Sequence, residues 1–147
     1  FLGFLPGAAM FLPEDDPDVV NSKQEFDPID RFLWPNLSYA VRHNNSDRFR
    51  PDSHMTDYFS RQAAKVIKAN RNRPFFLYLA YNAPHTPLQS EKADYEALSH
   101  IEDHTERTYA GMLRGLDRGI GQVLEALETH EKPLEKPLKT LKPSKYH

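Results

Sequence analysis

The spacing of apolar and polar positions changes several times along the chain, and each change marks a predicted element. Residues 1–35 hold no sustained period: Pro6-Gly7, Glu14-Asp15-Asp16-Pro17-Asp18, Asp27-Pro28 and Trp34-Pro35 follow closely on one another. Proline removes a backbone donor and fixes φ, so this density predicts irregular, turn-rich chain. Leu37, Tyr39 and Val41 then alternate with Ser38, Ala40 and Arg42, the period of a short half-buried strand. Asn44-Asn45 supplies turn chemistry, which predicts a small edge hairpin near 37–50. From 56 to 70 the period lengthens. Met55, Phe59, Ala63 and Ile67 would form the apolar stripe of a helix. Ser53 or Thr56 could cap its first turn, and Lys65 and Lys68 sit near the negative end of its dipole.

Phe75-Phe76-Leu77-Tyr78-Leu79-Ala80-Tyr81 is an unbroken apolar run, bounded by Pro74 and by Asn82-Ala83-Pro84. Strand length without alternation predicts burial on both faces, as in a central parallel strand. Over 105–128 the spacing is helical again, through Tyr109, Met112, Leu113, Leu116, Ile120, Leu124 and Leu127. Gly111, Gly115 and Gly119 form a neighbouring row. An interior glycine costs about 1 kcal/mol against alanine, so the row predicts close packing against the sheet. Arg114, Asp117 and Arg118 lie in the same turns and rule out a membrane-helix reading of that row. From Glu131 the chain repeats Glu-Lys-Pro-Leu and stays rich in Pro and Lys, which predicts a disordered tail over 131–147. The fold class is therefore α/β, with strand 75–81 flanked by helices 56–70 and 105–128 in one domain, 1–130. A lone strand cannot be covered on both faces, and typical sheets have about five or six strands. The domain reads as partial, and a start without Met agrees with missing upstream residues.

Composition narrows the functional classes. A formal charge of −2 gives no electrostatic case for nucleic acid or anionic membrane. There is no Cys, which removes disulfides, thiolate metal sites and cysteine nucleophiles. Phe1-Leu2-Gly3-Phe4-Leu5-Pro6 has neither a basic flank nor a long apolar run, so it reads as neither signal peptide nor membrane span. The acidic cluster at 14–18 lacks the glycine of a calcium loop and reads as a solvated turn. His100 and His104 have a zinc-compatible spacing, but Glu102 does not directly follow His100 and no third ligand is evident, so a polar turn is favoured. Asp117 is expected to hydrogen-bond an adjacent loop. Asn36-Leu-Ser and Asn44-Asn-Ser are glycosylation sequons, meaningful only in a protein secreted by a eukaryote.

The chemistry concentrates in Asn82-Ala83-Pro84-His85-Thr86-Pro87-Leu88-Gln89. Ligands of α/β sheets bind beyond the carboxyl ends of strands, which is where this loop would lie. Prolines around His85 restrict the backbone and fix the direction of the imidazole. Such a histidine can donate to an oxyanion or protonate a leaving oxygen; the alternative is a structural histidine in a Pro-rich turn.

The run Arg73-Pro-Phe-Phe-Leu-Tyr-Leu-Ala-Tyr-Asn-Ala-Pro-His-Thr-Pro-Leu-Gln89 resembles the stretch of sulfatases in which a strand ends in a Pro-His-x-Pro loop. Residues 107–127 resemble the family helix with its Tyr-x-x-Met and Leu-Asp-x-x-Ile-Gly pattern, and Gly3-Phe4-Leu5-Pro6-Gly7-Ala8 more weakly resembles a Phe- and Gly-rich family segment. The resemblance implies part of an alkaline-phosphatase-like fold in a parent hydrolysing aryl or carbohydrate sulfate esters. It implies a formylglycine nucleophile and a calcium ion in the intact parent, and a periplasmic, secreted or lysosomal location. Of the family's site residues only the substrate-contacting histidine maps here, onto His85. No Cys or Ser-x-Pro-x-Arg is present, and the metal-binding Asp-Asn-Gly that follows the family helix is replaced by the tail. No catalytic or metal residue is therefore assigned. The alternatives are a parent acting on phosphonate or phosphate esters, or a non-catalytic remnant.

Overall fold

A computed structural model describes residues 1–4 and 7–129, so the tail 131–147 lies outside the described residues. Among the described residues four short strands and four helices follow in this order: β1 (Leu2–Gly3), β2 (Val19–Ser22), α1 (Pro28–Asn36), β3 (Arg42–His43), α2 (Met55–Asn70), β4 (Leu88–Glu91), α3 (Lys92–Glu96) and α4 (His104–Glu128). Two antiparallel pairs, β1–β3 and β2–β4, make up the sheets.

The turn-rich first third is more regular than its prolines predict. Asp27 accepts a hydrogen bond from Ile29 N–H (2.8 Å) and caps α1, with Pro28 in the first turn. Proline fits there because its missing N–H would have no helical partner. The predicted hairpin forms one step later than the alternation suggests. Val41 and Phe49 exchange both backbone hydrogen bonds at 2.9 Å, and Asn44 turns the chain at φ 51°. Asparagine tolerates that left-handed conformation.

Helix α2 matches its predicted range, but neither predicted cap acts. His54 occupies the cap position without a side-chain bond to the helix's own first N–H groups, and Thr56 is buried in the first turn. Helix α4 is capped by Asp103, which accepts from Glu106 N–H (2.8 Å). The apolar stripe that marks this helix in the sequence is largely open: Tyr109, Leu113, Ile120, Leu124 and Leu127 are all substantially exposed. Its buried residues are instead Thr108, Gly111, Met112, Gly115, Gly119 and Ala126. The glycine row is thus the packing face, as its cost implied. A Cβ on Gly111 would collide with Ser90 Oγ of β4, and one on Gly119 with Ser60 Oγ of α2.

The largest difference from the sequence reading concerns 75–81, for which no central parallel strand is seen. These residues belong to no sheet among the described residues, and none takes part in a backbone hydrogen bond. Phe76 and Tyr78 are 91% and 80% exposed, whereas Leu79 and Tyr81 pack on the core. Burial therefore alternates, the period of an extended chain covered on one side. A central strand needs partners on both edges, and the few strands described here are committed elsewhere. The core under it is formed by Ala9, Phe11, Val41, Met55, Tyr58, Phe59, Ala83, Leu88 and Met112.

Gly119→Ala tests the packing face. Overpacking typically costs about 1–3 kcal/mol, opposed by about 1 kcal/mol of gained helix propensity, so a net loss near 1 kcal/mol is expected in urea unfolding. In a Ser60→Ala background, which removes the colliding oxygen, the same change should become neutral or stabilising.

Candidate functional site

The His85 loop is held from below. Tyr81 O–H and Ser60 Oγ share a 2.8 Å hydrogen bond, and Ser60 donates to Thr56 C=O (2.8 Å) inside α2. This fastens the end of 75–81 to the helix. Ala83 and Pro87 are buried on either side of His85. Between them His85 N–H donates to Asn82 C=O (2.9 Å) across a cis Ala83–Pro84 peptide, and Thr86–Pro87 is cis as well. The loop then enters β4, where Gln89 is fully buried. Its Oε1 accepts from Phe11 N–H (2.8 Å), and its Nε2 donates to Asn21 Oδ1 (2.9 Å).

His85 itself is exposed at the rim of a cavity of about 250 Å³ that it lines with Phe4, Ala8, Ala9, Tyr81 and Asn82. Its Nδ1 lies 2.7 Å from Thr86 C=O. A carbonyl can only accept, so Nδ1 carries the proton and Nε2 is left for a ligand. Nε2 has no hydrogen-bond partner among the described residues. In the protonated ring Nε2–H can meet an oxyanion; in the neutral ring Nε2 can accept a proton.

Sequence reasoning passed over two polar nodes, one buried around His54 and one partly buried around Arg118. His54 stacks on Phe11 at 5.3 Å, and its Nε2–H donates to Gln89 C=O (3.1 Å). Burial lowers its pKa below the ordinary imidazole value. Arg118 lies between α2, β4 and α3: it donates to Asp94 at 2.6 and 2.7 Å and to Asp57 at 3.2 Å, and it pairs with Glu91. Arg114 also reaches Asp94 (3.1 Å). Burial opposes the charge of Arg118, but Asp94 and Asp57 outweigh it and hold its pKa up. Burial, with Asp57 next in weight, pushes the Glu91 carboxyl up to about 7 against the pull of Arg118. Both nodes are polar residues inside otherwise ordinary helical or strand patterns, so periodicity alone gives no signal for them.

The remaining candidates resolve simply. His104 accepts from Tyr95 O–H at Nδ1 (3.0 Å) and donates from Nε2 to Asn21 C=O (2.9 Å), so both ring nitrogens are engaged within the fold. Asp117 is exposed and makes no side-chain hydrogen bond among the described residues, contrary to the expected loop contact. In the acidic turn, Asp16 accepts from Asp18 N–H (2.9 Å) and Glu14 pairs with Lys23. No group of three His, Asp or Glu among the described residues is arranged to hold a metal ion. The Asp57–Glu91–Asp94 cluster is tied up by arginine, so these residues do not fit a calcium ion. No described helix is long and apolar enough to cross a membrane.

The family model for sulfatases matches residues 9–135. The chain belongs to the sulfatase family. A sulfatase of Formosa agariphila is 33% identical over 119 residues, covering 76% of this chain and 22% of that protein. The uncharacterized sulfatase YdeN of Escherichia coli K12 is 30% identical over 87 residues, covering 57% and 16%. Mouse arylsulfatase J is 33% identical over 76 residues, covering 51% and 13%. Among solved structures, Ps i-CgsB in complex with k-i-k-neocarrahexaose matches with a TM-score of 0.59 and 41% identity, over 62% of this chain and 20% of that one. This sulfatase chain thus spans about a fifth or less of these curated relatives' length.

The raised Glu91 pKa makes a stability prediction with a definite sign. The folded chain holds the Glu91 proton more tightly than the unfolded chain, whose carboxyl titrates near 4.5. That contribution is fully present below pH 4.5 and is lost as pH rises through about 7. Glu91→Gln should therefore gain stability over wild type across this window, by about 1 kcal/mol at pH 8 after screening of a partly exposed group. His54 drives the opposite slope, because its lowered pKa costs stability as pH falls through the ordinary imidazole range. Urea midpoints of both proteins from pH 5 to pH 8 check the difference (about three units of pH).

Proposed function

We propose that the parent of this chain hydrolyses sulfate esters and that this segment supplies His85 as its sulfate-contacting residue. The observation that carries the reading is the state of the His85 ring: Nδ1 is committed to Thr86 C=O while Nε2 is free at a cavity rim. A ring so held offers Nε2–H to an anionic oxygen when protonated, and the nearby carbonyl supports the positive charge. In the same position it can pass that proton to the leaving alcohol oxygen. Sulfatase family membership supports a sulfuric ester as the substrate class, and the carbohydrate complex of one structural relative favours a carbohydrate sulfate.

In this reading residues 75–81 become a central parallel strand when the rest of the parent provides neighbours, consistent with their open backbone and exposed Phe76 and Tyr78. The nucleophile is assigned to the rest of the parent, since this chain has neither Cys nor Ser-x-Pro-x-Arg. A calcium ion, which would stabilise charge on the sulfate oxygens, is likewise assigned there. Residues 1–130 are then a partial catalytic domain.

The isolated chain should not turn over. General acid–base help contributes about 10²–10⁴-fold, whereas enzymes usually supply about 10⁶-fold or more. Purified chain incubated with 4-nitrophenyl sulfate and calcium should match the buffer rate. Multiple turnovers abolished by His85→Ala would mean that a nucleophile is present here.

A further inference from the structure

Asn82, which lines the same cavity, carries a side-chain amide with nothing to bond. Both Nδ2 and Oδ1 of Asn82 are buried without a hydrogen-bond partner. Four other buried side-chain atoms share that condition, one each on Asp30, Trp34, Arg42 and Thr56, and none of those residues lines the His85 cavity. Buried amides are nearly always satisfied, because an unmade hydrogen bond forfeits the hydration the group had in water. An asparagine left open at both ends therefore points to a partner from outside the described chain.

Its placement suggests which partner. Asn82 and His85 are the first and fourth residues of one turn, joined by the 2.9 Å hydrogen bond from His85 N–H to Asn82 C=O. Both line the same cavity of about 250 Å³. Tyr81 O–H is engaged with Ser60 and His85 Nδ1 with Thr86 C=O, so His85 Nε2, the Thr86 hydroxyl and the Asn82 amide are the side-chain groups left there for a ligand. Resting on the oxyanion reading of His85, we propose that Asn82 is a second substrate-binding residue, donating Nδ2–H to the sulfuryl group that His85 meets.

The chemistry suits a neutral donor. An amide N–H aimed at an anionic oxygen gains a charge-assisted hydrogen bond without introducing a second cation that must be desolvated. Oδ1 then accepts from water or from a hydroxyl on the alcohol side of the ester. The amide atoms are withdrawn from solvent, so the side chain must swing into the cavity. No hydrogen bond of its own opposes that motion.

The test is an NMR titration of the labelled chain with sodium sulfate, at ionic strength held constant with sodium chloride. The His85 imidazole and the Asn82 side-chain NH₂ signals should shift together and give one Kd. Asn82→Ala should raise that Kd about tenfold, the value of one charge-assisted hydrogen bond. Asn82→Asp, which replaces the donor with a like charge, should abolish binding. The NH₂ signal is read in the wild type, so it remains informative if a variant fails to fold. If sulfate moves His85 but not the Asn82 NH₂, or if folded Asn82→Ala keeps a Kd within about twofold of wild type, the Asn82 proposal fails while the His85 reading stands. If neither signal moves, both fail.

Discussion

Glycine at 111, 115 and 119 lets α4 lie against β4, α3 and α2 with only the side chains of Ser90, Asp94 and Ser60 set against its bare face. The other contacts follow from that approach. Arg118 reaches Asp57 on α2, Glu91 on β4 and Asp94 on α3 only because the neighbouring face of α4 carries no side chain to hold them off. Ser60, the residue against which Gly119 packs, also bonds Tyr81 and so anchors the segment leading to His85. A change in how closely the helices meet would therefore be felt at the loop. Partly buried ion pairs contribute little net stability, because desolvation offsets attraction. The Arg118 cluster is better understood as fixing the register of four elements than as their main source of stability.

The helices were legible because their signals are local. A four-residue apolar recurrence over 56–70, and a row of glycines beside a row of leucines over 105–128, need no knowledge of the rest of the fold. Which row of α4 faces inward was harder. Leucines suggest a core, yet the glycine cost decided the matter, since three interior glycines would be wasteful on an open face. Elements held by side-chain contacts distant in sequence were not legible: β2 pairs with β4 across more than sixty residues, and Gln89 reaches back to Phe11. In the apolar run 75–81 the sequence pattern and the described chain differ. Its composition predicts burial on both faces, whereas the described chain covers only one.

That mismatch and the exposed stripe of α4 have a common physical reading. Phe76 and Tyr78 on one element, and Leu113, Ile120 and Leu124 on another, are apolar surfaces with nothing described against them. The chain spans 13–22% of the length of these curated sulfatase relatives, and the larger catalytic domain proposed above would cover such surfaces. The loop chemistry, by contrast, is complete in itself. The prolines, the Thr86 carbonyl and the Asn82 turn all come from eight consecutive residues, which is why His85 could be singled out from sequence while Arg118 and His54 could not.

The sulfuryl contact proposed for His85 can be measured in a chimera. Residues 9–127 of this chain would replace the matching segment of the Formosa agariphila sulfatase, with folding verified by circular dichroism and hydrolysis of a sulfate ester measured. If His85 holds the sulfuryl group, the chimera is active and its kcat/KM falls about 10²–10⁴-fold on His85→Ala. A folded, active chimera that hydrolyses its substrate equally well with alanine at position 85 would contradict it.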